Sequence, residues 1–127
     1  MRYLIDSNIW LYAAAGKGEA VEFLDTAAAA EWAGYTAISR LELFGYPDLK
    51  PGDEEKLNKL LACFTEVEVS VSVIDRAIEV RRRRRVKVPD AIVAATALLM
   101  NAKLVTRNVD DFRRIESLEV IDPLAGR

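Results

Sequence analysis

The sequence predicts an α/β fold with a central parallel β-sheet of four to five strands, flanked by helices on both faces. Two observations support this prediction. Short apolar runs alternate with longer stretches of helical periodicity along the chain. Residues 88–102 carry one charged side chain, Asp90, and are otherwise almost wholly apolar, as in a helix buried on most sides. The 127 residues, 51% of them hydrophobic, predict a single domain over residues 1–127.

The N-terminal half is predicted to hold two strands and four helices. A loop is expected at Pro51 and Gly52, before an amphipathic helix with Leu57, Leu60, Leu61 and Phe64 at helical spacing. The strands are predicted over residues 2–5 and 35–38, and the helices over 7–14, 19–31, from a cap at Ser39 to about 45, and 53–64.

The C-terminal half is predicted to hold three strands and three helices. Alternating Val67, Val69 and Val71 indicate a strand, and Pro89 is allowed at the start of the buried helix because its missing N–H falls in the first turn. The strands are predicted over residues 66–71, 103–106 and 118–121, and the helices over 72–85 (with Val73, Ala77, Ile78 and Val80 inward), from 89 to about 100, and 110–115.

Composition excludes several classes of protein. The formal net charge of −2 argues against a bulk electrostatic nucleic-acid binder. No apolar run has the length of a membrane span, and Asp6 stands where a signal peptide would be apolar. The single cysteine, Cys63, permits no internal disulfide and is expected in the core. We therefore expect a cytoplasmic protein that has no membrane partner.

Basic residues are concentrated in one place, where five consecutive arginines are followed by Lys87. This run is either the solvated end of a helix, where cations suit the helix dipole, or a contact for the RNA backbone or a protein partner. The sequence leaves these interpretations open. The residues concerned are Arg81, Arg82, Arg83, Arg84 and Arg85.

Three acidic residues lie at predicted turns or helix starts: Asp6, Glu42 and Asp90. Singly, Asp6 could be a helix cap, Glu42 the partner of Ser39 in a capping box, and Asp90 a charge that answers the helix dipole. Asn108 could likewise cap a short helix. Of these four residues, Asp90 is the strongest candidate for a functional role, because its helix shows no polar face that would accommodate a lone charge.

Together these residues predict a metal site. In a parallel α/β sheet, ligands bind at the carboxyl ends of the strands, where Asp6, Glu42 and Asn108 are expected. Asp90 precedes a strand, so the sequence leaves its side of the sheet open. Converging carboxylates repel one another unless Mg²⁺ or Mn²⁺ neutralises them, and the chain has no histidine. The chemistry predicted is metal-assisted attack of water on a phosphodiester.

Four motifs in this order resemble the PIN-domain family, and in particular VapC-like ribonuclease toxins of toxin–antitoxin pairs. The resemblance extends over essentially the whole chain, and the third motif is the most specific. The motifs are YLIDSNI at residues 3–9, ISRLEL at 38–43, VPDAIVAATA at 88–97 and LVTRNVDDF at 104–112.

The resemblance implies a PIN-like fold and a Mg²⁺- or Mn²⁺-dependent endoribonuclease with catalytic residues Asp6, Glu42, Asp90 and Asn108. Asp6 and Asp90 are implied as direct metal ligands, and Glu42 as the holder of a second metal or the attacking water. The family often has Asp where Asn108 stands, which puts a second metal in doubt and makes Asp111 a candidate substitute. Ser7 and Thr106 are implied as hydrogen-bonding groups around the ligands.

The resemblance also implies an RNA substrate, a cognate antitoxin protein and a homodimer. The competing hypothesis is a catalytically impaired PIN-fold module that binds proteins, which Asn108 favours. Other phosphate-handling α/β proteins fit less well. A phosphoacceptor domain needs an acid pair after the first strand, and an aspartate-nucleophile phosphatase needs a second aspartate where Asn8 stands.

Overall fold

The computed structural model describes residues 1–125 and shows a five-stranded sheet in the order β3-β2-β1-β4-β5. Every neighbouring pair is parallel, which confirms the predicted fold class. The strands are β1 (Arg2–Ile5), β2 (Trp32–Thr36), β3 (Thr65–Val67), β4 (Lys103–Val105) and β5 (Val120–Ile121).

Helices connect successive strands and cover both faces of the sheet. Each contributes buried apolar side chains to one of two core clusters, against the sheet or against a neighbouring helix. The helices are α1 (Ser7–Ala14), α2 (Gly18–Ala28), α3 (Ala37–Phe44), α4 (Pro51–Leu61), α5 (Val71–Arg83), α6 (Val88–Leu99) and α7 (Val109–Phe112). Within residues 1–125, none of them has the length and apolarity needed to cross a bilayer.

The period-2 alternation of β1 divides the core into two clusters. Tyr3 and Ile5 face one cluster, which contains the buried side chains of α1, α2 and α4, among them the fully buried Trp10. Leu4 faces the other cluster with Leu104 and the buried side chains of α5, α6 and α7. Both faces of the sheet are covered, as expected for parallel strands.

The boundary between β2 and α3 differs from the prediction. Strand β2 begins at Trp32, because the register pairs Trp32 with Arg2 of β1, and it ends at Thr36. Thr36, and not Ser39, caps α3 by accepting a hydrogen bond from the Ser39 amide at 3.0 Å. The capping box proposed for Ser39 and Glu42 is therefore wrong, and Glu42 lies in the second turn of the helix.

The predicted strand over residues 66–71 is also too long. Ser70 ends the extended segment because its hydroxyl caps α5, accepting a hydrogen bond from the Val73 amide at 3.2 Å. Val71 is consequently the first helical residue and is 78% exposed. Ile78 is exposed as well and does not point inward, since it lies one position off the buried stripe of α5.

Two smaller predictions are wrong near α4. Pro51 and Gly52 form its first turn and not a loop, because proline at the first helical position loses no hydrogen bond there. Cys63 lies after the helix and is exposed, whereas the sequence placed it in the core. The predicted stripe itself is correct, with Leu57 and Leu61 buried and Leu60 and Phe64 partly buried against the same core cluster.

Candidate active site

The site lies at the carboxyl edge of the two central strands. Strands β1 and β4 are paired so that Ile5 lies beside Val105, and the next residue of each strand is polar. Those residues are Asp6 and Thr106, and the Asp6 amide donates to the Val105 carbonyl at 2.9 Å. The register of the sheet therefore brings together two side chains that a parallel sheet presents to ligands.

Asp6 is nearly buried, with 6% of its surface exposed, and its carboxylate accepts three hydrogen bonds. Oδ1 accepts from the Ser7 amide at 2.9 Å, and Oδ2 accepts from the Thr106 hydroxyl at 2.8 Å and the Asn8 side-chain amide at 3.3 Å. Burial raises the pKa of Asp6 although these hydrogen bonds oppose the rise. Asp6 is thus both the cap of α1 and an oriented, destabilised carboxylate.

Glu42 approaches Asp6 from α3. The Ser7 hydroxyl donates to Glu42 Oε1 at 3.4 Å, so Ser7 contacts both acids, one through its amide and the other through its side chain. Glu42 is an exposed residue whose carboxyl group is partly buried. This partial burial raises the pKa of Glu42, and the negative charges of Asp6 and Asp90 raise it further.

Asp90 is the third residue of α6 and is half-buried. The helix precedes β4 and runs back across the sheet, which puts its first turn at the carboxyl edge. This answers the question of which side of the sheet Asp90 lies on, which the sequence left open. Burial raises the pKa of Asp90, as do the charges of Asp6 and Asp111, while Lys87 opposes the rise. Asp6, Glu42 and Asp90 are therefore close enough to interact electrostatically.

Asn108 and Asp111 differ from each other in how they relate to the three acids. The Asn108 amide donates to the Thr106 hydroxyl at 3.0 Å, but its exposed side chain makes no capping hydrogen bond to α7. Asp111 is also exposed, and its charge acts on Asp90. Of the two, Asp111 is the one coupled to an acid of the site.

Asn8 is a residue of the site that sequence reasoning missed. Its side-chain amide donates to Asp6 Oδ2 and to the Thr106 hydroxyl at 3.2 Å, and its Oδ1 accepts from the Arg107 amide at 3.1 Å. Asn8 thereby joins the turn after β1 to the turn after β4. The sequence feature that could have identified Asn8 is its position two residues after Asp6 in the first motif.

Comparison with known proteins identifies the family of the chain. The family model described as PIN domain matches residues 3–118. The chain belongs to the PIN domain family. Its match to the family extends over all four motifs of the sequence, so the family resemblance inferred from them is confirmed.

Solved structures share the fold of this PIN domain almost from end to end. A toxin–antitoxin complex from Klebsiella pneumoniae contains a chain with 30% identity and a TM-score of 0.79, with coverage of 95% of this chain and 97% of that one. VapBC2 from Rickettsia felis, bound to a promoter DNA fragment, gives 24% identity, a TM-score of 0.84 and coverage of 96% and 98%. VapBC-1 from nontypeable Haemophilus influenzae gives 20% identity and a TM-score of 0.78, with coverage of 97% of this chain and 98% of that one. The search of curated proteins returned no match.

The donor set of this PIN domain fits a hard divalent cation. Asp6, Glu42 and Asp90 offer only oxygen, and Asp6 is held by groups that leave its charge incompletely compensated. Within residues 1–125, no three acidic or cysteine side chains are packed closely enough to enclose an ion by themselves. Mg²⁺ does not require such a cage, because it commonly binds through one or two carboxylates and retains several waters.

The arginines of the run differ in backbone position and in their contacts. Arg81, Arg82 and Arg83 are the last residues of α5, Arg84 follows with an extended backbone, and Arg85 lies in the loop before α6. Arg81 Nε donates to the Val86 carbonyl at 3.1 Å, which fits the interpretation as a helix end. Arg84 and Arg85 instead line a pocket that also contains Asp90. Arg83 lines the same pocket, and Arg81 lines an adjacent one with Arg84 and Arg85, so contact of the run with RNA or a protein partner stays a prediction.

Proposed function

We propose that this PIN domain is a Mg²⁺- or Mn²⁺-dependent endoribonuclease and the toxin of a cytoplasmic toxin–antitoxin pair. The observation that carries the proposal is that Ser7 contacts both Asp6 and Glu42 at the edge of the sheet where the charge of Asp90 also acts on Glu42. Three carboxylates with raised pKa values are costly for a metal-free protein, and a divalent cation would relieve the cost. Sites of this kind are where function is expected.

Asp6 and Asp90 would hold the metal ion, and Thr106, Ser7 and Asn8 would keep the Asp6 carboxylate oriented toward it. When bound, the ion supplies charge neutralisation at the phosphodiester and a more acidic water. The water oxygen would form a bond to phosphorus as the bond to the leaving ribose oxygen breaks.

Glu42 is placed to accept the proton of that water, since burial and its acidic neighbours favour its protonated form. Asn108 adds no charge to the site. One metal ion is therefore the simplest occupancy, with Asp111 available to a second through its position near Asp90.

An antitoxin is the proposed protein partner. The similar chains from Klebsiella pneumoniae, Rickettsia felis and Haemophilus influenzae were all solved in toxin–antitoxin or VapBC complexes. A partner that covers the carboxyl edge would control access to the three acids. We also propose a homodimer, as the family resemblance implies. Co-expression with the product of a short neighbouring reading frame, followed by measurement of the mass of the complex, tests both assignments.

The test of the enzymatic proposal is cleavage of single-stranded RNA by the purified protein. EDTA should abolish cleavage, and excess Mg²⁺ or Mn²⁺ should restore it. Glu42→Gln should remove activity with the fold intact. Asp25→Asn is the matched control, because Asp25 is an exposed acid on α2 away from the site. Cleavage that persists in EDTA, or that Glu42→Gln leaves unchanged, contradicts the proposal.

The alternative proposal is a PIN fold that binds a protein partner without cleaving RNA. The uncharged, exposed Asn108 favours it, because it weakens the acidic set. In that case the protein would bind an antitoxin, while RNA would remain intact at any concentration of Mg²⁺ or Mn²⁺. Asn108→Asp would then be the informative variant, since a gain of metal-dependent cleavage would identify the missing charge.

A further inference from the structure

A pocket of about 520 Å³ opens beside Asp90, between the end of α5, the start of α6 and α7. Its volume falls within the range of ~300–1,000 Å³ that is usual for ligand sites. Both acidic and basic side chains line it. The charged residues that line it are Asp90, Asp110, Asp111, Arg83, Arg84, Arg85, Lys87 and Arg114.

Two of these charges are already compensated. Arg83 pairs with Glu116 at 3.2 Å, and Asp110 pairs with Arg113 one turn along the chain. Asp90 and Asp111 remain as the acidic part of the wall, and both belong to the electrostatic group of the active site. The acidic part of the pocket is therefore the edge of the proposed metal site.

Arg84 is held in place without being neutralised. Its Nε donates to the Arg114 carbonyl and its Nη1 to the Arg83 carbonyl, both at 2.9 Å. These hydrogen bonds use two of the five N–H donors of a guanidinium. Both acceptors are backbone carbonyls, so the positive charge is fixed and uncompensated, as a preorganised anion-binding group requires.

The other basic side chains of the pocket are also available. Within residues 1–125, the side chains of Arg85, Lys87 and Arg114 take part in no ion pair and no hydrogen bond. Lys87 lies near enough to Asp90 to affect its charge. With Arg84, these residues give the pocket four basic side chains that form no ion pair within residues 1–125, in a protein whose net charge is −2.

We infer that this pocket is a phosphate-binding subsite that holds the RNA backbone next to the reacting phosphodiester through Arg84, Arg85, Lys87 and Arg114. The inference rests on the proposed function and specifies how that site takes its substrate. RNA is favoured over an acidic protein segment because the pocket that holds these basic side chains is also lined by Asp90, a ligand of the proposed metal site. A backbone phosphate would contact the basic side chains while the next phosphate of the same strand meets the metal, so one continuous substrate would use both parts of the site.

The chain provides a matched control for this inference. Arg82 is exposed at the same end of α5 but lines neither this pocket nor the adjacent ones. Arg82→Gln removes the same charge as Arg85→Gln or Arg114→Gln and leaves the net charge of the three variants equal. Any difference in RNA binding among the three variants is then due to the location of the lost charge and not to the net charge of the protein.

The experiment measures binding of a short fluorescein-labelled single-stranded RNA of mixed sequence by anisotropy, in EDTA and over a range of salt concentrations. Arg85→Gln and Arg114→Gln should each weaken binding about tenfold, as expected for a lost charged hydrogen bond. Each should also reduce the salt slope by about 0.7, as expected for one phosphate contact on a single strand. Arg82→Gln should change neither quantity.

Several results would overturn the inference. The first is that wild type does not bind RNA. The second is that Arg82→Gln weakens binding as much as the two pocket variants do. The third is that the protein binds an oligo-glutamate peptide in preference to RNA, in a manner that depends on Arg85 and Arg114. Cleavage in Mg²⁺ is scored separately. Wild type that cleaves while the pocket variants bind normally overturns only the subsite. Pocket-dependent binding without cleavage overturns only the nuclease proposal.

Discussion

The Thr106 hydroxyl donates to Asp6 Oδ2 at 2.8 Å and joins two positions that are 100 residues apart in the sequence. Thr106 is fully buried, and its oxygen also accepts from the Asn8 side chain and the Asn108 amide. One hydroxyl thus connects the turn after β1 with the turn after β4. The orientation of the Asp6 carboxylate therefore depends on the pairing of these two central strands.

Thr106→Val should lower both stability and metal affinity. It removes one of the two hydrogen bonds to Asp6 Oδ2 and the Thr106 acceptor of the Asn8 and Asn108 N–H groups, at a cost of about 1–3 kcal/mol for a buried group. Loss of such a supporting hydrogen bond typically weakens metal binding by about 10–100-fold. Thr106→Ser is the control, because it retains the hydroxyl and loses one methyl group, worth about 0.8 kcal/mol. Mg²⁺ titration followed by thermal denaturation measures both effects. Equal Mg²⁺ affinity in the two variants would contradict a supporting role for the hydroxyl.

Asp90→Asn should separate a metal site from a helix start. It removes one of three mutually repelling charges with little change in shape, so the metal-free variant should be at least as stable as wild type. Saturation of wild type with Mg²⁺ at a hundredfold excess over Kd should add about 2.7 kcal/mol, or roughly 10 °C in Tm for a chain of this length. The variant should lose most of this shift and all RNA cleavage. A destabilised variant that retains the full Mg²⁺ shift would identify Asp90 as a helix residue only.

The stability of the metal-free protein should depend on pH in a direction set by these acids. Burial, and for Glu42 and Asp90 also like charge, raises the folded-state pKa of Asp6, Glu42 and Asp90. Such groups favour folding below their unfolded pKa, and this contribution is lost as the pH rises through the folded pKa. The advantage of Asp90→Asn over wild type should therefore be largest at about pH 8 and narrow toward about pH 5. Thermal denaturation in EDTA measures the difference, and an advantage that grows on acidification would refute it.

Gly34→Ala should destabilise the sheet independently of the site. A Cβ at this position of β2 would lie 2.5 Å from the Thr65 carbonyl oxygen and 2.7 Å from the Trp32 ring. The backbone of β3 would have to move, at a cost of about 1–3 kcal/mol by comparison with other overpacked cores. Gly18→Ala is the control, since nothing lies within 4 Å of its added Cβ at the start of α2. Urea denaturation should show a lower midpoint for the first variant only.

Sequence periodicity was sufficient for the elements but not for all of their ends. The stripe of α4 and the buried helix α6 were predicted because apolar spacing depends only on which face meets the sheet. The start of α3 was misplaced because two hydroxyls, those of Thr36 and Ser39, compete to cap it. Thr36 caps α3 where pairing of β2 with β3 ends, and local sequence does not contain that limit. Pairing of β3 ends at Val67, so the predicted strand over residues 66–71 was too long for the same reason.

The sequence by itself determined the family, the parallel α/β class and the set of acidic residues. It did so because hydrophobic periodicity and the four motifs are local properties of the chain. Only the tertiary structure decided that Asp90 lies with Asp6 and Glu42, that Asn8 and Thr106 join two turns, and which arginines line the pocket beside Asp90. The physical reason is that electrostatic coupling and buried hydrogen bonds depend on distances between turns, and strand order and register set those distances.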